Sequence, residues 1–244
     1  AHAVKLGYNV LHYTLELGEQ YVGRRYDAYF SKIGVDKIQK HKDKIESIME
    51  DLKGNLIIKE FPTGKATMST IESHIQKVKD TGIEPDLIII DYVDLLSSKR
   101  KTVDRKGEID DIYTSTKGLA RELDIPVWSV SQVNRAGAKD NIVEGDKAAG
   151  SYDKIMITDV CISLSRQRKD KVEGTGRFHI MKNRYGMDGL TFGVKADTST
   201  GHFVVSNEIY QEGEDDNISP TPQNNNFGGI DKFDRSELQK KFFE

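Results

Sequence analysis

Asp86-Leu-Ile-Ile-Ile-Asp91-Tyr-Val-Asp94-Leu-Leu-Ser97 is the stretch that decides the fold. Four consecutive apolar residues, Leu87–Ile90, end in the carboxylate of Asp91. The run lacks the alternation of a strand with one wet face, so it reads as a strand covered on both faces, as in a parallel sheet. An acid buried beside such a run is costly without a partner. The carboxyl end of a central strand is also where open α/β sheets bind ligands. Apolar strand plus terminal acid is the Walker B pattern, whose Asp helps to hold Mg²⁺ beside nucleotide phosphates. The plainer reading is an ordinary strand, with Asp91 starting a turn.

Strand and helix patterns alternate on both sides of this stretch. Ala1–Leu6 reads as the end of a helix, Val10–Leu15 as a strand followed by Glu16, and Glu19–Lys32 as a helix whose Arg24 and Arg25 sit on a solvated face. Asp36–Lys53 has a second helical pattern, Leu56–Ile58 is a short strand, and Ser69–Asp80 is a helix capped by Thr67 or Ser69. Between these last two, Gly64-Lys65 has the setting of a phosphate loop but not its pattern. Lys59 stands where the first Gly should be and Ala66 where the Ser or Thr should be, so the segment reads as a turn and helix start.

Beyond Asp91 comes a cation-dense loop with Lys99, Arg100, Lys101, Arg105 and Lys106, then an amphipathic helix at Glu108–Leu123. Pro126–Ser131 is the next strand, with Gln132 at its end. Asn134–Ser151 is polar and glycine-containing, the type of long loop that is usually functional or mobile. Ile157–Arg166 and Gly176–Asn183 read as strands joined by a charged turn, and Gly189–Ala196 with Gly201–Ser206 as a closing hairpin. Composition shifts near Gly213. The expected division is a core of residues 1–210, an acidic, Asn-rich disordered linker over 211–229, and an amphipathic tail over 230–244.

The chain of 244 residues is long enough for one large α/β domain and a tail. A net charge of −3 argues against a globally basic nucleic-acid binder while leaving room for basic loops. The single cysteine, Cys161, permits no internal disulfide and fits a reducing compartment. No apolar run approaches the roughly 18 residues of a membrane span, and no secretory signal is present. The expected location is therefore the cytoplasm.

Polar residues fall at successive strand ends: Glu16, Asp91 and Gln132. On one sheet edge these would converge. Glu16 could orient or deprotonate an attacking water, or merely cap the next helix. Asp91 could hold a metal through its water shell. Gln132 could sense a γ-phosphate, since its amide both donates and accepts, or simply end its strand in water. Further on, Lys182 and Arg184 lie two apart on an extended segment and point one way. They suit phosphate contact across a subunit boundary, or are exposed strand cations.

Five segments together carry a family resemblance: Thr14-Leu-Glu-Leu17, Ile90-Asp-Tyr-Val-Asp-Leu-Leu96, Lys117-Gly-Leu-Ala-Arg-Glu-Leu-Asp-Ile-Pro-Val127, Ser129-Val-Ser-Gln-Val-Asn-Arg135 and Lys182-Asn-Arg-Tyr-Gly186. In order and spacing the chain resembles the DnaB-type replicative helicases, most of all their bacteriophage versions, over roughly residues 1–206. The resemblance implies a RecA-like P-loop NTPase core of the α/β class. Its sheet would be mostly parallel, twisted and flanked by helices, with carboxy-terminal antiparallel hairpins. It implies hexameric rings on single-stranded DNA, moving 5′→3′ at the expense of ATP or another NTP with Mg²⁺.

Carried over by position, Glu16 matches the catalytic glutamate, Asp91 the metal-binding aspartate, Gln132 the switch glutamine, and Lys182 and Arg184 the pair that reaches the neighbouring subunit's nucleotide. Arg135, Lys139 and Lys147 fall in the channel-facing loop and, with Lys99 and Arg100, are the candidate DNA contacts. The spacing near Gly150 departs from the bacterial pattern by about two residues. The family's Walker A would precede residue 1, so this polypeptide is expected to be truncated and to bind ATP poorly by itself. Primase, polymerase or single-strand-binding protein are the partners expected for the tail, in a host cytoplasm if the gene is a phage gene. A RecA-type recombinase and a non-catalytic oligomerisation module are the competing readings.

Overall fold

The computed structural model describes residues 1–98, 105–133, 140–145 and 153–210. Four parallel strands form its centre: β1 (Val10–Thr14), β2 (Leu56–Glu60), β3 (Leu87–Asp91) and β4 (Val127–Ser129), in the spatial order β2-β1-β3-β4. Thr14 lies opposite both Glu60 and Asp91, and Ile90 lies opposite Ser129. The carboxyl ends of β1, β3 and β4 therefore share one edge.

Helices cover both faces. Ile88 and Ile90 of β3 are fully buried, facing α4 (Met68–Asp80) and α5 (Arg105–Leu123) through Ile71, Ile75, Ile109, Ile112 and Leu119. Each such isoleucine contributes about 2–3 kcal/mol by leaving water. On the other face Leu87 and Ile89 pack on a smaller cluster around Val4 and Phe30. That cluster comes from α1 (His2–Lys5), α2 (Glu19–Ser31) and α3 (Lys42–Glu50). The two-sided covering read from the Leu87–Ile90 run is thus present. α4 starts where the Thr67 amide donates to Thr70 Oγ1 at 3.2 Å, so the Gly64-Lys65 segment is a turn and helix entry.

The second helical pattern differs from the continuous helix expected over Asp36–Lys53. It divides into a 3₁₀ turn at Ile38–Lys40 and α3, because His41 leaves helical geometry at φ −129°, ψ 30°. After α3 the chain passes Gly54, where any side chain would meet the Tyr8 carbonyl oxygen at 2.2 Å. Arg105 and Lys106, expected in a loop, open α5.

The second half forms a four-stranded antiparallel meander, β5 (Val160–Ser165), β6 (Thr175–Asn183), β7 (Thr191–Asp197) and β8 (His202–Ile209). β5 starts three residues later than expected, since Asp153–Ile157 forms a short helix, α6, with Lys154 and Ile155 buried. The charged turn expected over Gln167–Thr175 contains a helix, α7 (Arg168–Glu173). Asp170 organises it: its carboxylate accepts from the Gln167 amide at 2.7 Å, from Thr175 Oγ1 at 3.1 Å and from Arg177 at 2.8 Å.

The β7–β8 turn returns to the first half. The Val35 amide donates to the Ser199 carbonyl at 3.1 Å, and His202 stacks on Tyr29 of α2 at 4.3 Å. Among the described residues, β4 pairs only with β3 and β5 only with β6. Trp128 of β4 is 60% exposed, and Val160 and Leu164 of β5 are about half exposed.

Candidate active site at the carboxyl edge of the parallel sheet

Glu16 stands on a bend just past β1, and the bend is held from three sides. Thr14 Oγ1 donates to the Leu17 carbonyl at 2.7 Å and accepts from its amide. The Leu15 amide donates to the Asp91 carbonyl at 2.8 Å, and Thr63 Oγ1 donates to the Leu15 carbonyl. Glu16 itself is exposed. The bend thus presents an exposed carboxylate just past the end of β1.

Asp91 closes β3 and is half-buried. Burial raises its pKa above the ordinary carboxylate range, and the charge of Arg25 on α2 opposes that shift. Arg25 is exposed, as its place on a solvated face suggested, yet its field reaches Asp91. Tyr26, beside it, has its hydroxyl pushed up to about 12, first by burial and then by the charge of Asp91. It bonds His12 Nδ1 at 2.8 Å.

Gln132 follows β4. Its Nε2 donates to the Tyr92 hydroxyl at 3.4 Å, a long bond that tethers the amide to the residue after Asp91. The Tyr92 hydroxyl pKa is raised by burial first, then by the charges of Glu16, Asp94 and Asp91. Tyr92 is therefore the side chain on which all three strand ends act. Sequence reading missed it, because a Tyr inside an apolar motif looks like core.

Below this surface the ends of β3 and β4 are laced together. Ser129 Oγ donates to the Ile90 carbonyl at 2.8 Å and accepts from the Val93 amide at 3.0 Å. One layer out, Ser131 Oγ donates to Asp94 Oδ2 at 3.1 Å. The ammonium of Lys154, 2% exposed, reaches Ser131 Oγ at 2.6 Å and Asp94 Oδ2 at 3.1 Å.

Lys182 and Arg184 form a separate cluster. Among the described residues neither bonds to Glu16, Asp91 or Gln132. Lys182 Nζ donates to the Ile155 and Met156 carbonyls at 2.9 and 2.6 Å, which places its charge at the carboxyl end of α6. Its pKa is lowered by burial first and then by Arg184 and Lys117. Arg184 lies one residue past β6, and the charges of both cations meet around Asp159. Its guanidinium is 44% exposed and pairs with Asp159 Oδ1 at 3.2 Å, the same oxygen that Lys117 holds at 2.8 Å. Asp159 lies 25 positions earlier than Arg184, so no local pattern links the two. Arg135, Lys139, Lys147, Lys99 and Arg100 lie outside the described residues.

A parallel sheet with an acid after one central strand, an acid at the end of the next and an amide after a third has the layout of a nucleotide-hydrolysing core. The chain matches the family model described as DnaB-like helicase C terminal domain over residues 1–192. It belongs to the DnaB-like helicase family and has the RecA-like fold of that family's carboxy-terminal domain. It is 26% identical over 202 residues to the DnaB-like replicative helicase of Enterobacteria phage T4, covering 76% of this chain and 42% of that protein. It is 29% identical over 176 residues to a probable plasmid replicative DNA helicase of Chlamydia psittaci, covering 68% of this chain and 37% of that one. The chain thus spans well under half the length of these relatives.

Two solved structures share the fold, each with a TM-score of 0.70 and 21% identity over 82% of this chain. One is a DnaB-like replicative helicase described with its interactions with primase, of which 52% is covered; the other is an ATPase domain, of which 75% is covered. No helix among the described residues is long and apolar enough to cross a membrane.

Proposed function

We propose that the chain is the motor portion of a replicative DNA helicase, a homo-hexameric ring that moves 5′→3′ on single-stranded DNA and hydrolyses ATP between subunits. The observation that carries this is the shared edge of β1, β3 and β4, where Glu16, Asp91 and Gln132 surround Tyr92. Glu16, exposed on its braced bend, takes the part of water orientation and proton acceptance. Asp91 fits Mg²⁺, which uses one or two carboxylates together with waters and phosphate oxygens. Such an ion neutralises charge on the phosphates when bound. Gln132, tethered through Tyr92, reads whether a terminal phosphate is present.

Arg184, half-exposed beside Asp159, is assigned to an adjoining protomer's nucleotide, with Lys182 behind it. Arg135, Lys139, Lys147, Lys99 and Arg100 are assigned to the DNA backbone. The sequence contains no Gly-x4-Gly-Lys-Ser/Thr stretch, so these 244 residues by themselves are assigned weak ATP binding. Residues 211–229 act as a linker and 230–244 as a docking tail for a primase, polymerase or single-strand-binding protein in the cytoplasm.

The test is DNA-stimulated ATP hydrolysis and fork unwinding by the full-length gene product. Glu16→Gln and Asp91→Asn should each lower kcat about a hundredfold or more while the proteins stay folded. Unwinding and hydrolysis left intact by both changes would remove the assignment.

A further inference from the structure

Lys154 is a charged side chain buried to 2% exposure on a five-residue helix. A buried ammonium persists only where its donors are met. Two of its contacts are Ser131 Oγ at 2.6 Å and Asp94 Oδ2 at 3.1 Å. It also lies 5.8 Å from the centre of the Tyr113 ring on α5. Asp94 and Ser131 bond each other, so the three side chains close a triangle.

The placement of that triangle gives it a role. Ser131 immediately precedes Gln132, and Asp94 sits in the 3₁₀ turn Val93–Leu95 directly after Asp91 and Tyr92. The triangle therefore fixes the distance between the strand end that carries Gln132 and the one that carries Asp91. It does so from a third element, α6, which comes from the far side of the polar 134–152 segment.

We infer that Lys154 is a positioning residue for Gln132, acting through Ser131 and Asp94. This rests on the helicase reading above. If Gln132 senses the terminal phosphate, its reach is set by Ser131, and Lys154, together with the Tyr113 hydroxyl, braces the Ser131–Asp94 bond that joins the two strand ends. A shift of α6 would then move the sensing amide.

The experiment uses the full-length gene product and the ratio of ATP hydrolysis with single-stranded DNA to that without it. That ratio does not depend on how much of a preparation is folded. Lys154→Met and Ser131→Ala should each lower the ratio at least about threefold, while the KM for ATP stays within about twofold. Ser131→Ala serves where the Lys154 change alone unfolds the protein, as does Lys154→Met combined with Asp94→Asn, which leaves no lone buried charge. In a Gln132→Ala background the same changes should have no further effect on the ratio, because the residues act as one unit. A ratio unchanged in folded variants, or an equal further fall in the Gln132→Ala background, would overturn the inference. A wild-type protein that hydrolyses no ATP under any condition would instead remove the helicase reading itself.

Discussion

His12 shows how burial turns a single residue into a pH sensor of stability. It lies in the middle of β1, shares a hydrogen bond with the Tyr26 hydroxyl at Nδ1, and its Nε2 is buried with no partner among the described residues. Burial lowers its pKa from 6.5 to about 4. As pH falls below 6.5 the unfolded chain takes up this proton first, so the folded state loses stability between 6.5 and 4 and is unaffected by this group above that window. The loss should approach about 3 kcal/mol at its limit. Urea unfolding at pH 7 and pH 5 should show a smaller loss in His12→Gln than in the wild type; equal losses would assign the pH response to other groups.

At this same scale the strand-end positions of Glu16, Asp91 and Gln132 were legible in the sequence. An apolar run ending in Asp91 is a local signal, and so are Glu16 and Gln132 just past their strands. Lys154 and Asp159 were not legible. Lys154 meets Asp94 across 60 positions and Lys117 meets Asp159 across 42, and nothing local distinguishes a buried lysine from a solvated one.

Among the elements, α7 depends most on one side chain. Asp170 caps it, ties it to Thr175, and pairs with Arg177 of β6, with both charged side chains nearly buried. Replacing Asp170 by Ala leaves Arg177 without that carboxylate, which should cost about 3–5 kcal/mol. Denaturant unfolding checks this, and a loss below 1 kcal/mol, the worth of about one exposed pair, would show that the pair is not structural. α7 was read as a turn because its six residues are almost all charged, and periodicity needs apolar positions to act on. The break at His41 escaped for a related reason. The apolar spacing over 36–53 continues through it, while the Lys40 and His41 amides bond three residues back to Lys37 and Ile38 instead of four.

For the whole molecule, alternating strand and helix patterns sufficed for the class of fold, and the five motifs for the family. The order β2-β1-β3-β4 was beyond reach, since it depends on which helix crosses which face. The contact of the last hairpin with α2 was beyond reach as well. His202 and Tyr29 lie 173 positions apart, and neither belongs to a pattern that names the other. That stack and the Val35–Ser199 bond join the first and last parts of the described fold, so the two sheets are bound at both ends of the chain's path.

Among the described residues the outer sides of β4 and β5 are unmatched, and this has a cost in handling. At β2, the flank ends in Lys59 and Glu60, charges that discourage docking by another backbone. β4 and β5 carry Trp128, Val160 and Leu164 instead. In concentrated preparations these 244 residues should form open-ended, β-rich clumps, distinguishable by light scattering from closed rings because their size keeps growing with concentration. Trp128→Lys with Leu164→Lys should suppress the growth, and unchanged scattering would mean that the stickiness lies elsewhere. Anyone crystallising or storing this polypeptide would meet that tackiness before meeting its enzymology.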